Sequence, residues 1–299
     1  MAEKPLSGKV AVVAGATRGA GRGIALGLGR AGATVYCTGR SVRGQKGVGM
    51  GRPETIDETA ELVSAAGGTG IAVQVDHRDE GQVSALFERV KAEQVGLDIL
   101  VNDIWGGEPF TGSQMGKPFW ELPVQTVLQL LENAVHTHII TARYGAPLII
   151  SRGKGLIIEV TDGDTFRYRG NLAYDLVKNS VMRLAYGMSE ELKPHGVAAL
   201  SLTPGFLRSE EMLDYFGVTE ETWKDATKQE EHFIASETPY YIGEAVAALA
   251  SDPNIMAKTG TYQSTWKLKR EYDFRDKDGS QPDWGRYFEE HFPELAAQS

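Results

Sequence analysis

The sequence predicts a doubly wound α/β fold: one parallel sheet of about seven strands with helices on both faces. Two observations carry this. Short β-branched runs that are apolar throughout alternate with stretches of helical periodicity, the pattern of parallel strands buried on both sides. The first such run leads into a glycine-rich turn that opens a helix.

In chain order, Lys9 to Ala14 (KVAVVA) reads as the first strand. Gly15, Thr17, Arg18, Gly19, Gly21 and Gly23 form the turn, and a helix follows over Ile24 to Arg30. Such a turn presents free backbone N–H groups to an anion, and glycines let the chain come close to it. Packing glycines in a tight turn are the simpler reading. Thr34 to Thr38 is the second strand, with Gly39, Arg40 and Ser41 at its end. In a nucleotide-binding βαβ unit the ribose is read here. An acidic residue would take a free 2′-hydroxyl; the guanidiniums of Arg40 and Arg18 suit a 2′-phosphate. That favours NADP(H) over NAD(H), unless both arginines are only solvated.

Val42 to Pro53 holds four glycines and three basic residues, a long loop that either folds over the phosphate or moves freely. Pro53 is placed to start a helix over Glu54 to Ala66. Ile71 to Val75 is the third strand, ending at Asp76, and Gln82 to Val95 is an amphipathic helix. Leu97 to Val101 is the fourth strand, ending in Asn102-Asp103. Ile104 to Trp120, with Gly106, Gly107, Pro109, Gly112 and several aromatics, is an irregular loop. Its aromatics either line a pocket or pin the loop to the body.

Pro123 to Ile150 is mostly helix. His136 and His138 within it point to different faces, and no histidine–carboxylate set has metal-binding spacing, so no metal is expected. Gly155 to Val160 is the fifth strand, Ala173 to Leu192 a helix and Val197 to Leu202 the sixth strand, followed by Pro204-Gly205. Short helices are expected over Glu211 to Phe216 and Glu220 to Phe233. A further helix runs from Thr238 or Pro239 to Ala250, and Gly260 to Ser264 is a last strand. The division expected is one domain over residues 1–265, with a substrate lid near 206–238, and an extension over 266–299 packed on it.

The net charge of −9, without a basic stripe, argues against a nucleic-acid partner. The single cysteine, Cys37, excludes an internal disulfide. With no apolar leader and no run of about 18 apolar residues, the expectation is a soluble cytoplasmic protein without membrane contact.

Tyr174 and Lys178 stand four residues apart in LAYDLVKNS. On a helix both side chains share one face. An ammonium beside a phenol favours the phenolate, which is one way to build a general acid/base near neutral pH.

Together these pieces resemble the short-chain dehydrogenase/reductase family, over roughly residues 7 to 264. Ala14-Gly15-x3-Gly19-x-Gly21 is similar to its cofactor loop, Asp76 to its adenine-side aspartate, and Asn102 to the start of its N-N-A-G motif. Tyr174-x3-Lys178 is similar to its catalytic pair, and Pro204-Gly205 to its P-G after the sixth strand. The resemblance implies a Rossmann-type domain and hydride transfer between NADP(H) and a carbonyl or alcohol substrate. It implies Tyr174 as proton donor, Lys178 on the nicotinamide ribose, and assembly as a homodimer or homotetramer. The family's catalytic serine, 13 residues before the tyrosine, falls on Thr161. Its catalytic asparagine should lie near position 134, where the sequence has Ala134 preceded by Asn133. N-N-A-G becomes Asn102-Asp103-Ile104-Trp105, so an indole replaces glycine. Trp105, Asp162, Phe166 and Phe206 are the expected pocket residues. The alternatives are a non-catalytic NADP(H) sensor or scaffold, or a family enzyme acting on another bond.

Overall fold

The computed structural model describes residues 4–45, 51–107, 110 and 114–297. Part of the loop expected over Val42 to Pro53, and Pro109 and Gly112 of the loop after the fourth strand, lie outside the described residues. Seven strands form one parallel sheet in the order β3-β2-β1-β4-β5-β6-β7. They are β1 (Val10–Ala14), β2 (Thr34–Gly39), β3 (Thr69–Gln74), β4 (Ile99–Asn102), β5 (Gly155–Val160), β6 (Val197–Thr203) and β7 (Tyr262–Ser264). The order reverses between β1 and β4, so their carboxyl ends part and leave a crevice.

Alternate residues of each strand feed two cores. Ala11 and Val13 face one core, against Ile24 and Leu28 of α1 (Gly19–Arg30) and Ile56 and Val63 of α2 (Ile56–Ala65). Val10 and Val12 face the other, against Val83, Leu86, Phe87 and Val90 of α3 (Glu80–Glu93). Each of these valine, leucine, isoleucine and phenylalanine side chains stabilises the fold by about 1.5–3 kcal/mol when fully buried. The helix after β2 starts later than Pro53 suggests. Thr55, not proline, caps it, accepting from the Glu58 N–H at 3.2 Å.

α4 (Val124–Leu131) runs through a π turn, Glu132–His136, into α5 (Thr137–Ile150). β5 leads to α6 (Leu172–Leu192), which Asn171 caps by accepting from the Ala173 and Tyr174 N–H groups. After β6 come α7 (Glu210–Phe216) and the 3₁₀ turns Trp223–Lys228 and Glu231–Ala235, which pack as a small aromatic cluster. Thr238 caps α8 (Pro239–Ser251).

The expected break after residue 265 falls inside α9 (Thr265–Tyr272), which leaves β7 directly. The tail continues through α10 (Trp284–His291) and α11 (Pro293–Ala296). Buried Asp276 accepts from the Thr238 N–H (2.9 Å) and hydroxyl (2.5 Å), and the Trp284 ring meets Phe206 edge-on at 5.7 Å. Among the described residues no helix is long and apolar enough to cross a membrane, and no histidine, cysteine and carboxylate group could hold a metal.

Candidate active site

Two adjoining hollows open at the carboxyl ends of the strands. The first is a groove over β1, α1, β2 and β4, lined by Gly15, Thr17, Arg18, Gly19, Arg40 and Asp76, among others. Gly15 has φ 90°, and a Cβ there would overlap the Asp103 carbonyl oxygen, so only glycine fits. Gly21 does not line the groove; a Cβ on it would overlap the Gly15 carbonyl oxygen. The Gly19 N–H, the first of α1, donates at 2.8 Å to the Glu210 carboxylate of α7. A carboxylate oxygen thus stands where the helix terminus would hold any anionic oxygen.

Asp76 also accepts from Arg78 at 2.6 and 3.0 Å, and that pairing holds its carboxyl below its usual value. Asn102, expected at the cofactor, faces inward instead. It is fully buried, and its amide donates to Glu159 at 2.7 Å. Glu159 also meets His138 Nδ1 at 2.5 Å, while His138 Nε2 lies 3.0 Å from the Ile104 carbonyl oxygen. Burial opposes charge on this imidazole, yet Glu159 beside it leaves its pKa raised. The pair therefore anchors the loop that follows β4.

The second hollow, a cavity of about 630 Å³, adjoins the first through Asp103, Ile104 and Trp105. Its walls include Thr161, Asp162, Tyr174, Lys178, Pro204, Gly205 and Phe206. Tyr174 donates its hydroxyl proton to Asp162 Oδ2 at 2.7 Å. Thr161, expected to hold a substrate oxygen, is 4% exposed and donates at 2.8 Å to the Lys178 backbone carbonyl. Both residues lie just past the end of β5, and the turn there aims Asp162, not Thr161, at the phenol.

Asp162, rather than Lys178, is the leading charge on this phenol. Burial, then the charge and hydrogen bond of Asp162, push the Tyr174 pKa well above its ordinary value. Lys178 Nζ stands 4.0 Å from the centre of the Trp105 ring and 5.5 Å from that of Tyr174, so its nearer aromatic face is the indole. Trp105 in turn meets Tyr174 edge-on at 5.6 Å. Asp103 lies between the hollows. Burial pushes its carboxyl up to about 7, against the pull of Lys178, His138 and the Gly21 N–H.

Asn133 lies in the π turn and lines the groove, with its amide donating to the Gly106 carbonyl oxygen at 2.8 Å. Ala134 is buried against Ala173 and Val177 of α6. The wide turn offsets the helix register, which is why the asparagine one residue short reaches the loop. Phe166, expected in the pocket, is 55% exposed, stacks edge-on with Tyr262 at 5.3 Å and does not line the cavity.

Four contributors were missed from sequence: Glu210 at the start of α1, and Arg167, Trp284 and Phe288 on the cavity. Only the acid-rich start of α7 hinted at the first, and no local pattern marks the others.

A crevice at the sheet's reversal, a glycine cradle at a helix terminus and a tyrosine–lysine pair beside it define a class: the hydride-transfer oxidoreductases built on this fold. The chain belongs to the short-chain dehydrogenase/reductase family: the short chain dehydrogenase model matches residues 9–217. It is 37% identical over 278 residues to dehydrogenase/reductase SDR family member 1 of Mus musculus, covering 92% of this chain and 85% of that one. The protein of the same name from Homo sapiens is 36% identical over 277 residues, with the same shares covered. Among solved structures, a short chain dehydrogenase from Mycobacterium thermoresistibile superposes with a TM-score of 0.75 at 21% identity, covering 94% of this chain and 92% of that one. L-Sorbose reductase from Gluconobacter frateurii, solved with NADPH and L-sorbose, gives 0.71 at 21% identity, over 88% of this chain and 96% of that one.

Proposed function

We propose that this protein is an NADP(H)-dependent reductase of small carbonyl compounds, with Tyr174 as proton donor. The observation that carries the reading is the Tyr174 phenol, held protonated by Asp162 in a cavity that opens onto the glycine-cradled groove. The nicotinamide cofactor, when bound, supplies the hydride.

The groove suits such a group because a carboxylate oxygen already occupies the terminus of α1 and glycines clear the approach. The Gly19 N–H would hold the pyrophosphate. Arg18, just before α1, and Arg40, at the end of β2 where no acidic residue stands, would hold a 2′-phosphate. Lys178 would hold the nicotinamide ribose, with Pro204 and Gly205 forming the wall beside the ring. Asn133 would fix the Gly106 loop under it.

In the reductive direction the Tyr174 hydroxyl turns from Asp162 to the substrate oxygen and releases its proton as that oxygen gains charge. Asp162 sets the phenol's orientation beforehand. Thr161 acts from below, tying β5 to the turn of α6 that carries Lys178. Val124, Leu128 and Ile139, 73%, 53% and 48% exposed on α4 and α5, support assembly into a homodimer or homotetramer. A cytoplasmic location is part of the same reading.

Consumption of NADPH and of NADH across a panel of ketones and aldehydes tests this. The expected result is turnover with NADPH. In Tyr174→Phe turnover falls by about 10²–10⁴-fold while the Kd for NADPH is unchanged. A protein that binds NADPH but reduces no carbonyl, or a Tyr174→Phe variant at the native rate, would sink the proposal.

A further inference from the structure

The cavity is lined by several cations, and they differ in what they hold. Lys267 pairs with Asp164 at 2.8 Å. The Arg169 guanidinium is spent on Asp175, Asn179 and the Thr165 carbonyl oxygen. Arg167 is different. Its backbone N–H donates to Thr165 and its carbonyl accepts from Arg169, but among the described residues no acceptor pairs with its guanidinium. That group lies 3.8 Å from the centre of the Phe288 ring, on α10 of the tail.

This half-buried guanidinium has shed part of its hydration, and its nitrogens stay open to an acceptor in the cavity. Burial, with the nearby charge of Arg169, disfavours its protonated state, while Asp162 and Asp164 favour it. Its planar fork matches a carboxylate, and the Phe288 ring beneath it limits where the fork can stand. Two elements distant in sequence, the loop after β5 and the tail helix, meet to hold it in the wall that also contains Tyr174.

We propose that Arg167, held over the Phe288 ring, is the subsite for a carboxylate on the substrate, so that the preferred substrates are oxo acids rather than neutral ketones. The position rests on the reading of this cavity as the place where a carbonyl is reduced. The tail then acts in specificity: Phe288 sets where the guanidinium stands, and hence the distance between the carboxylate and the reacting carbon.

The test uses the full chain with NADP⁺ and calorimetric binding of matched pairs. These are 4-acetylbenzoate and its methyl ester, then 4-oxo-4-phenylbutanoate and its methyl ester. The expected result is binding of at least one acid roughly tenfold or more tighter than its ester. That preference disappears in Arg167→Gln, with the ester's affinity unchanged, and is partly kept in Arg167→Lys. Phe288→Leu weakens the acid while sparing the ester. Equal binding of acid and ester in every pair, no acid binding at millimolar concentration, or a preference that survives Arg167→Gln overturns the subsite. Because the readout is binding, it is separate from turnover: a protein that never oxidises NADPH yet selects the acids through Arg167 would keep the subsite and lose the reductase.

Discussion

The hydroxyl of Tyr174 donates to Asp162 Oδ2 at 2.7 Å, so the candidate proton donor is paired with a carboxylate rather than with another hydroxyl. A neighbouring anion raises a phenol's pKa, because it disfavours a second negative charge. Burial acts in the same direction. The acid form needed for reduction is therefore present throughout the neutral and moderately alkaline range, and the base form needed for alcohol oxidation is scarce there. Asp162→Asn removes the charge and lowers the phenol's pKa. The expected outcome is a fall of the alkaline limb of the reductive pH–rate profile towards neutrality, with faster oxidation of alcohols near pH 9. An unchanged profile for both directions would show that Asp162 does not control the phenol.

Arg40 bears on cofactor choice. β2 ends in Gly39, and the Arg40 backbone carbonyl accepts from Gln74, which leaves its side chain at the rim of the groove. A hydrogen bond to a charged group is worth about 1.5–3 kcal/mol. Arg40→Ala should weaken NADPH about 10–100-fold and leave NADH nearly unaffected. Fluorescence titration of both cofactors decides it, and equal losses for the two would remove Arg40 from the 2′-phosphate.

The sheet was legible because its strands are apolar on both faces, and Val10, Ala11, Val12 and Val13 could be read as a strand without knowing their neighbours. The Tyr174–Lys178 pair was legible for a similar reason, since helical spacing alone puts both on one face. What could not be read depended on backbone direction. Counting back from Tyr174 selects Thr161, yet the turn out of β5 aims Asp162 at the phenol. Counting along α4 selects Ala134, yet a π turn brings Asn133 round. Asn102 ends a strand at a ligand crevice, but buried Glu159 draws its amide inward. Arg167 and Phe288 lie far apart in the chain, and only tertiary packing joins them.

Glu210 competes for the site at the start of α1. Its carboxylate accepts from the Gly19 N–H at 2.8 Å and lies 3.8 Å from Arg22. A bound pyrophosphate would have to displace it, and an acidic side chain at a helix N-terminus is worth about 0.3–1 kcal/mol. Glu210→Gln should tighten NADPH about two- to fivefold, and the gain should shrink at high salt, where the charge is screened. Weaker NADPH binding in this variant would show that Glu210 instead supports the groove by tying α7 to α1.

Glu237 joins the end of β6 to the start of the tail, and it makes the fold sensitive to pH. It is fully buried, and one carboxylate oxygen accepts from the Gly205 N–H (2.9 Å) and the Thr265 hydroxyl (2.7 Å). Among the described residues the other oxygen has no partner. Burial pushes this carboxyl up to about 8 despite the two hydrogen bonds. The folded pKa thus exceeds that of an unfolded glutamate. The unfolded chain releases the proton from about pH 4.5 upward, whereas the folded chain keeps it to about pH 8. Between those values each rise of one pH unit costs this group on the order of 1 kcal/mol of stability. Glu237→Gln keeps an acceptor for Gly205 and Thr265 but has no proton to lose. Its Tm should be close to that of the native protein near pH 5 and higher by several degrees near pH 8, read by scanning calorimetry across that range. A Tm difference that does not grow with pH would mean that Glu237 is ionised in the fold and balanced by partners other than these two.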